Sequence, residues 1–240
     1  IETEIYSKEE FNEIGHGGTE QYGAFSYKPG FAINPLKFVN GIAKYALSKK
    51  LKIFEHTKVD KIDKENGSYA LRTKEGSIRS KKIVVATNGF YQEGLIPQMD
   101  GRVLPVISNI IVTRKLNEDE MNAHNFKTFS PIANTKNLLY YYRKLPDNRI
   151  LFGTRGDLTG SDQSNLAMSK KMEKFLKNIF PKWSNVTIDY NWRGLIALSQ
   201  KLTPSIGKID NEEIYYGFGY NGVGVSAAPW TGKQLSKLVF

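Results

Sequence analysis

The sequence predicts a mixed α/β (α+β) fold, with strands, several joined by tight hairpins, mixed with a few helices. Three observations carry this. Short alternating segments are separated by tight turns, such as Asn66-Gly67 and Pro146-Asp147-Asn148. The run "KIVVA" is continuously apolar and β-branched, as expected for a strand covered on both faces. Only a few stretches show helical periodicity, and they do not alternate regularly with strands.

The elements follow in order. "SKEEFNEI" is a short helix with Ser7 as N-cap and Glu10 completing a capping box. "GHGGTEQYGAFSYKPG" is loop or irregular strand. "INPLKFVNGIAKYALSKK" is the clearest helix, capped by Asn34 and opened by Pro35, with Leu36, Val39, Ala43, Ala46 and Leu47 on one face. "KIFEHTKVDKIDK" reads as a strand, "GSYALRTKEG" with "SIRS" as a hairpin, and "KIVVATNGF" as a buried strand ending in a glycine turn. "RVLPVISNIIVTRK" is a long strand, "LNEDEMNAH" a short acidic helix, and "NLLYYYRKLPDNRILFGTRGD" a hairpin. "SDQSNLAMSKKMEKFLKNIFPKW" is a second helix with Met168, Met172, Phe175, Leu176 and Ile179 as its apolar stripe. "VTIDYNWRGLIALSQ", "SIGKI" and "IYYGFG" are strands, and a last helix runs from about Val223 to Val239. Pro229 within it predicts a kink or a late start.

Composition bounds the function. The 240 residues allow one large or two small domains, and 40% apolar content supports a core. There are no cysteines, which excludes disulfides, thiolate metal sites and cysteine nucleophiles. His16, His56 and His124 are too far apart to suggest a metal cluster, and no metal site is expected. The net charge of +10 comes mostly from scattered lysines without an arginine-rich arm. No apolar stretch approaches the roughly 18 residues that span a membrane, and no signal-peptide pattern is visible. The expectation is a cytoplasmic protein without stable membrane insertion.

Three stretches carry chemistry. Gly217, Gly219 and Gly222 spell G-x-G-x-x-G, the dinucleotide fingerprint, but 18 residues from the end of the chain. A βαβ unit of about 30 residues and its acidic ribose ligand do not fit there. The glycines still permit close backbone approach, and the helix behind them offers free N–H groups to an anion or a carbonyl. "KIVVATNGF" puts the amides of Ala86, Thr87, Asn88 and Gly89 at the C-terminal edge of a buried strand, where open α/β sheets bind ligands. In "YYYRK", alternation places Tyr141 and Arg143 on one strand face, and Arg155 ends the partner strand. Arginine beside tyrosine at a sheet end can fix a carboxylate by forked hydrogen bonds.

In this order the chain resembles the FAD-dependent amine and amino-acid oxidoreductases, the family of D-amino-acid oxidase, glycine oxidase and sarcosine oxidase. It looks closest to the γ-glutamylputrescine oxidase-like branch. The matching stretches are "GAFSYKPGFAINPLKFVNGIAKYAL", "IFEHTKVDKID", "KIVVATNGFY", "YYYRKLPDNRILFGTRG", "NWRGLIALSQKLTPSIGKI" and "YYGFGYNGVGV". The resemblance implies part of an FAD/NAD(P)-binding (Rossmann-like) domain over residues 1–101, a substrate domain with an antiparallel sheet over 102–190, and a return to the FAD domain over 191–240. It implies FAD as cofactor, with Val59 near adenine and Ala86, Thr87, Asn88 and Gly89 along the adenosine and pyrophosphate. Gly219, Tyr220, Asn221, Gly222, Val223 and Gly224 would face the flavin pyrimidine edge. Tyr141, Arg143, Arg155 and Trp192 would orient or wall a small-molecule amine or amino-acid substrate. No catalytic acid or base is assigned.

The departures are informative. The family's own N-terminal G-x-G-x-x-G is not in these residues. The chain therefore reads as the C-terminal part of such an enzyme, with its missing N-terminal FAD segment as a partner and little activity by itself. Where members often carry an Arg-Pro, Gln200, Lys201 and Leu202 stand. That argues for an amine whose carboxylate is held elsewhere, or which has none. A Gly-His-Gly near the flavin is replaced by Tyr220-Asn221-Gly222. Two alternatives remain: a relative that keeps the fold without catalysis, and a basic, aromatic-rich module stacking on nucleic acid. Against the second, most aromatics fall in apolar strands, so no nucleic acid is expected.

Overall fold

The computed structural model describes residues 1–157 and 159–240. It divides into two compact units: residues 1–33 with 107–194, and residues 34–106 with 195–240.

In the first unit, β1 (Glu2–Tyr6) and β2 (Ala24–Lys28) form an antiparallel ribbon around α1 (Lys8–Ile14). The capping box of α1 is complete. The Glu10 amide donates to Ser7 Oγ at 3.1 Å, and the Ser7 amide donates to Glu10 Oε2 at 2.7 Å.

The second unit supplies the next five elements. They are α2 (Pro35–Ser48), then β3 (Lys61–Glu65), β4 (Ser68–Arg72) and β5 (Ser77–Ser80) as an antiparallel meander, then β6 (Ile83–Val85).

The long strand β7 (Leu104–Thr113) begins in the second unit and runs mostly through the first. Next come α3 (Glu118–Ala123), β8 (Ile132–Ala133), β9 (Tyr141–Lys144), β10 (Ile150–Arg155) and α4 (Asp162–Ile179). With β11 (Ile188–Leu198), they form a five-stranded sheet ordered β11-β7-β10-β9-β8. Its pairings β10 with β7 and with β9, and β8 with β9, are antiparallel. The α4 side of this sheet is the main core. Phe152, Ile150, Tyr142, Met168, Met172, Leu176, Phe180 and Trp183 are buried together.

Residues 1–33 were expected to belong with residues up to 101. They pack instead with 107–194, and the reason is local. The segment Gly15–Thr19 threads into the aromatic core. Gly17 N–H donates to the His124 carbonyl at 2.7 Å, and Thr19 N–H to the Ile179 carbonyl at 2.8 Å. His16 stacks on Phe126 at 5.3 Å and meets the edge of Phe180 at 5.1 Å. Its Nδ1 accepts the Gly18 amide at 3.0 Å, so the proton sits on Nε2, 2.9 Å from the Tyr142 hydroxyl.

The second unit is completed by β12 (Ser205–Lys208), β13 (Ile214–Phe218) and α5 (Gly224–Val239). Its other sheet runs β12-β13-β6, with β13 antiparallel to β12 and parallel to β6. Side chains of β13 alternate. Ile214 and Phe218 enter a core with Tyr69, Ile83, Val85, Ile96 and Met99, while Tyr215 packs under Leu235 and Val239 of α5. Gly217 faces α5 so closely that a Cβ there would lie 2.5 Å from Thr231 Cγ2.

Several expectations are corrected. The strand expected from Lys52 begins only at Lys61, because no neighbouring strand among the described residues offers hydrogen bonds to 52–59; the first is from the Asp60 amide to the Arg72 carbonyl, at 2.8 Å. Val84 of β6 is 46% exposed, so this strand is covered on one face only. It is the edge of its three-stranded sheet. The last helix neither starts late nor breaks at Pro229. The bond lost there is to the carbonyl of Val225, an exposed residue in the first turn whose carbonyl water can reach. The helix α2 forms as expected, with Asn34 Oδ1 accepting the Lys37 amide, but none of its residues is buried.

Burial, with a smaller contribution from the nearby His124, lowers the His16 pKa from its ordinary 6.5 to about 4. An unfolded chain therefore takes up this proton first as pH falls. Stability should drop between about pH 6.5 and 4, by roughly 2–3 kcal/mol from this group. Urea unfolding midpoints across that range check it, with His16→Gln expected to flatten the slope.

Candidate functional site

The C-terminal ends of the parallel pair β6 and β13 meet in one network. After β6, Ala86 and Thr87 are exposed, and Asn88–Phe90 makes a tight helical turn with Asn88 at φ +49°. After β13, Gly219 (φ +75°), Asn221 (φ +54°) and Gly222 (φ +95°) all take left-handed backbone conformations. Asn88 Oδ1 accepts the Gly219 amide at 3.0 Å and ties the two ends together. The Asn221 amide donates to the Ala197 carbonyl at 2.9 Å, and Asn221 Oδ1 accepts the Ser199 amide at 2.9 Å. Asn221 Nδ2 also donates to the Gly219 carbonyl and to Ser199 Oγ. This turn is held rigidly by its own side chains.

The turn delivers the chain into α5, whose first turn has no side-chain cap. Each other α-helix here is capped, by Ser7, Asn34, Asn117 or Ser161. The amides of Gly222, Gly224 and Val225 have no acceptor among the described residues, and Gly222, Val223 and Val225 are exposed. Free donors at the positive end of a 16-residue helix suit an anion or a carbonyl that gains electron density. That donor set, next to strand ends joined through Asn88, fits the polar edge of a flavin and contains no acid to repel it. Val59 lies elsewhere, half-buried in the irregular stretch before β3.

The glycine turn also has an internal cause that its letters do not show. A Cβ on Gly219 would stand 2.8 Å from Ser199 Cβ, so this glycine answers to the Leu198–Gln200 segment packed on it. Ser199 is the residue that sequence reasoning missed. Only its position directly after the apolar Ala197 and Leu198, before Gln200 and Lys201, hints at it.

In the first unit, the sheet face opposite α4 gathers the predicted substrate residues. Phe152 and Tyr142 face the core, so alternation turns Tyr141, Arg143 and Arg155 the other way. Tyr141 Oη is 2.7 Å from Ser108 Oγ, and its ring lies across Gly153, where a Cβ would be 2.1 Å from it. Burial raises the Tyr141 pKa, with Ser108 and Arg155 opposing the rise. Arg143 is committed to structure, because its Nη2 donates to the Ile33 carbonyl at 3.0 Å. Arg155 has no ion-pair partner among the described residues. Asn191 and Arg193 of β11 contact α4, so alternation sends the exposed Trp192 to the face of Tyr141. Ser108 was not foreseen. It lies on β7 opposite Arg155, a register visible only once the strands pair.

No group of three or more metal-ligating side chains occurs among the described residues, and no described helix is long and apolar enough to cross a membrane.

An antiparallel sheet in one unit and a parallel strand pair feeding a helix in the other define a flavin-oxidoreductase type of fold. Glycine oxidase from Geobacillus kaustophilus superposes with a TM-score of 0.80 at 18% identity, over 99% of this chain and 63% of that one. A family model described as "DAO: FAD dependent oxidoreductase" matches residues 1–238, and the chain belongs to that family. It is 30% identical over 231 residues to a "Probable oxidoreductase OrdL" of Haemophilus influenzae, covering 93% of this chain and 51% of the relative. It is also 30% identical over 217 residues to the "Gamma-glutamylputrescine oxidoreductase" of Escherichia coli, covering 90% and 50%. The chain thus spans about half the length of the curated relatives it matches.

Gly219→Ala should destabilise the protein by about 1–3 kcal/mol, because the new methyl meets both a left-handed backbone and Ser199. Ser199→Gly in the same chain should recover part of the loss, as read from thermal unfolding.

Proposed function

We propose that the full protein is an FAD-dependent oxidoreductase that oxidises a C–N bond of a small amine or amino acid. The observation that carries this reading is the uncapped start of α5, joined through Asn88 to the end of β6. Family membership supplies the cofactor class. The names of the relatives, among them gamma-glutamylputrescine oxidoreductase and glycine oxidase, support the substrate class.

Gly222, Val223, Gly224 and the α5 N-terminus would hold the flavin's pyrimidine edge, with Gly219, Tyr220 and Asn221 shaping the turn. Ala86, Thr87, Asn88 and Gly89 would line the pyrophosphate and adenosine, and Val59 the adenine. When bound, FAD would supply a two-electron acceptor for hydride from the C–H beside nitrogen, and the imine so left would be hydrolysed by water. The free amides at the start of α5 would stabilise negative charge on such an acceptor, since they are held in place by the turn. Tyr141, its pKa raised by burial and its hydroxyl placed by Ser108, offers that hydroxyl as a hydrogen-bond partner. Arg155 offers a free cation, Trp192 an apolar wall, and Arg143 holds the backbone at Ile33. These residues orient the substrate and exclude water; no strong base is required of them.

The second unit also carries a docking face. Leu36, Val39, Ile42 and Leu47 of α2 are exposed, followed by exposed Leu51, Ile53 and Phe54. We infer that the part of the family fold not spanned by these 240 residues packs there and completes the cofactor cradle.

Two measurements test the reading. Gly222→Val in the full chain should lower bound flavin severalfold, seen as lost visible absorbance after purification. Unchanged flavin content would refute the placement. Val39→Glu with Ile42→Glu should also strip flavin without touching the turn, and a fully loaded double variant would remove α2 from the cofactor side. Anaerobic reduction of bound flavin by a panel of amines then identifies the substrate.

A further inference from the structure

We propose that His16 and His124 form an acid-sensitive latch, which holds residues 15–19 in the core of the first unit while both rings are neutral and releases that segment, ahead of global unfolding, when both take up protons.

The latch rests on how the two rings are bonded. Both side chains are buried. His16 Nδ1 accepts the Gly18 amide at 3.0 Å, and His124 Nε2 accepts the Lys182 amide at 3.0 Å. A ring nitrogen that accepts carries no proton, so both bonds require the neutral imidazole. Protonation turns each acceptor into a donor aimed at another N–H. The two residues also converge on one short stretch. The Gly17 amide, next in chain to His16, donates to the His124 carbonyl at 2.7 Å. Gly15, Gly17 and Gly18 insert no side chain of their own, and a Cβ on Gly18 would stand 3.0 Å from Ile179 Cγ2 and Phe180 Cε1. His16 is therefore the side chain that plugs this stretch into the aromatic cluster.

The surroundings offer an imidazolium no compensation. Phe11 of α1, Phe126, Phe180 and the Tyr142 hydroxyl of β9 stand against His16. Phe180 and Trp183 stand against His124, and the Lys182 cation repels a charge there. No carboxylate lies within 4.0 Å of either ring among the described residues. The acids of neighbouring elements are engaged elsewhere: Glu13 with Lys127, Glu20 with Lys136, Glu120 with Arg114 and Glu173 with Lys177. Lys144 of β9 donates to the Phe126 and Lys127 carbonyls, which adds another cation to this side.

Burial, with repulsion from His124, puts the His16 pKa at about 4. Burial also lowers that of His124, with Lys182 adding to the effect and backbone bonds at Gly17 and Phe180 opposing it. Released rings return to the ordinary 6.5, so the open form binds protons that the closed form refuses. Acid therefore favours opening from about pH 6.5 downward. His16 alone multiplies the opening equilibrium roughly a hundredfold by pH 4, and His124 adds a second proton to the step.

The test is native-state hydrogen exchange on the full chain between pH 7 and 4, with rates corrected for the intrinsic effect of pH. The Gly17, Gly18 and Thr19 amides should open roughly a hundredfold more often at pH 4 than at pH 7, and at every pH they should be less protected than Phe152 and Gly153 of β10. His16→Gln and His124→Gln keep a neutral side chain with an acceptor oxygen at each place. Each should remove part of the rise and the pair most of it, with far-ultraviolet circular dichroism confirming the fold. Nuclear magnetic resonance of the ring protons follows both titrations in the unaltered chain, so the test does not depend on the variants folding. Two rings titrating near pH 6.5 in the folded protein would overturn the proposal. So would protection at 17–19 that stays flat down to pH 4, or that equals the protection of Phe152 and Gly153, which would make the transition global. A rise kept in full by the H16Q/H124Q chain would overturn it too, by placing the sensitive group elsewhere.

Discussion

The second unit depends on a short parallel pairing, three residues of β6 against three of β13. Parallel strands cannot be joined by a tight turn, so the 128 residues between Val85 and Ile214 must leave and return for the pair to form. Once it has formed, both strands end on the same side. Each then exits through a left-handed backbone position, and the Asn88 side chain bonds the Gly219 amide across the gap. The same strand β13 fixes the helix that follows. Tyr215 and Gly217 face α5, and the missing side chain at Gly217 sets how near the helix can lie. The free amides at the start of α5 are therefore positioned by strand pairing and close packing, not by a flexible loop.

The first unit solves a different problem. A five-stranded sheet has two faces, and α4 covers one. The aromatic cluster around Phe180 and Trp183 makes that side rigid, and the neutral His16 locks residues 15–19 into it through Tyr142 and Gly18. Burying an imidazole here favours its neutral form, and both ring nitrogens are matched to partners. The opposite face is left to Ser108, Tyr141, Arg143, Arg155 and Trp192. A rigid core behind a polar face keeps these side chains in register with one another, which is what orienting a ligand demands.

Local chemistry was legible in the sequence, and long-range pairing was not. The caps read at Ser7 and Asn34 follow from side chains within three residues, and both form at the helix starts. The face of Tyr141 and Arg143 follows from strand alternation alone. By contrast, nothing local says that Gly15–Thr19 joins the core of the later unit, that Ser108 lies beside Arg155, or that Ser199 presses on Gly219. These contacts join residues 20 to more than 100 positions apart. The G-x-G-x-x-G letters are ambiguous for the same reason. A glycine needed because another chain segment packs on it looks identical, in sequence, to one needed for a phosphate.

The helix α2 shows how far local determinants reach when tertiary ones are missing. It carries Pro35 at its first turn, an Asn34 cap and 14 residues of regular period, and it is well formed. Yet Leu36, Val39, Ile42 and Leu47 remain in contact with solvent. Fully burying each would be worth about 1.5–3 kcal/mol, more than the cap supplies. Isolated helices of this length are marginal in water, because most helical stability comes from an apolar face packed on something. An amphipathic stripe kept intact on an unpacked helix is therefore a statement about a partner surface. The irregular 52–59 segment makes the same statement in strand form: its Ile53 and Phe54 are exposed and its backbone has no hydrogen bond to a neighbouring strand among the described residues. Helix and segment are consecutive in the chain, so one apolar, strand-bearing surface could satisfy both. The remaining half of the family fold is the economical occupant, since it would cover α2 and add the strand that residues 52–59 lack.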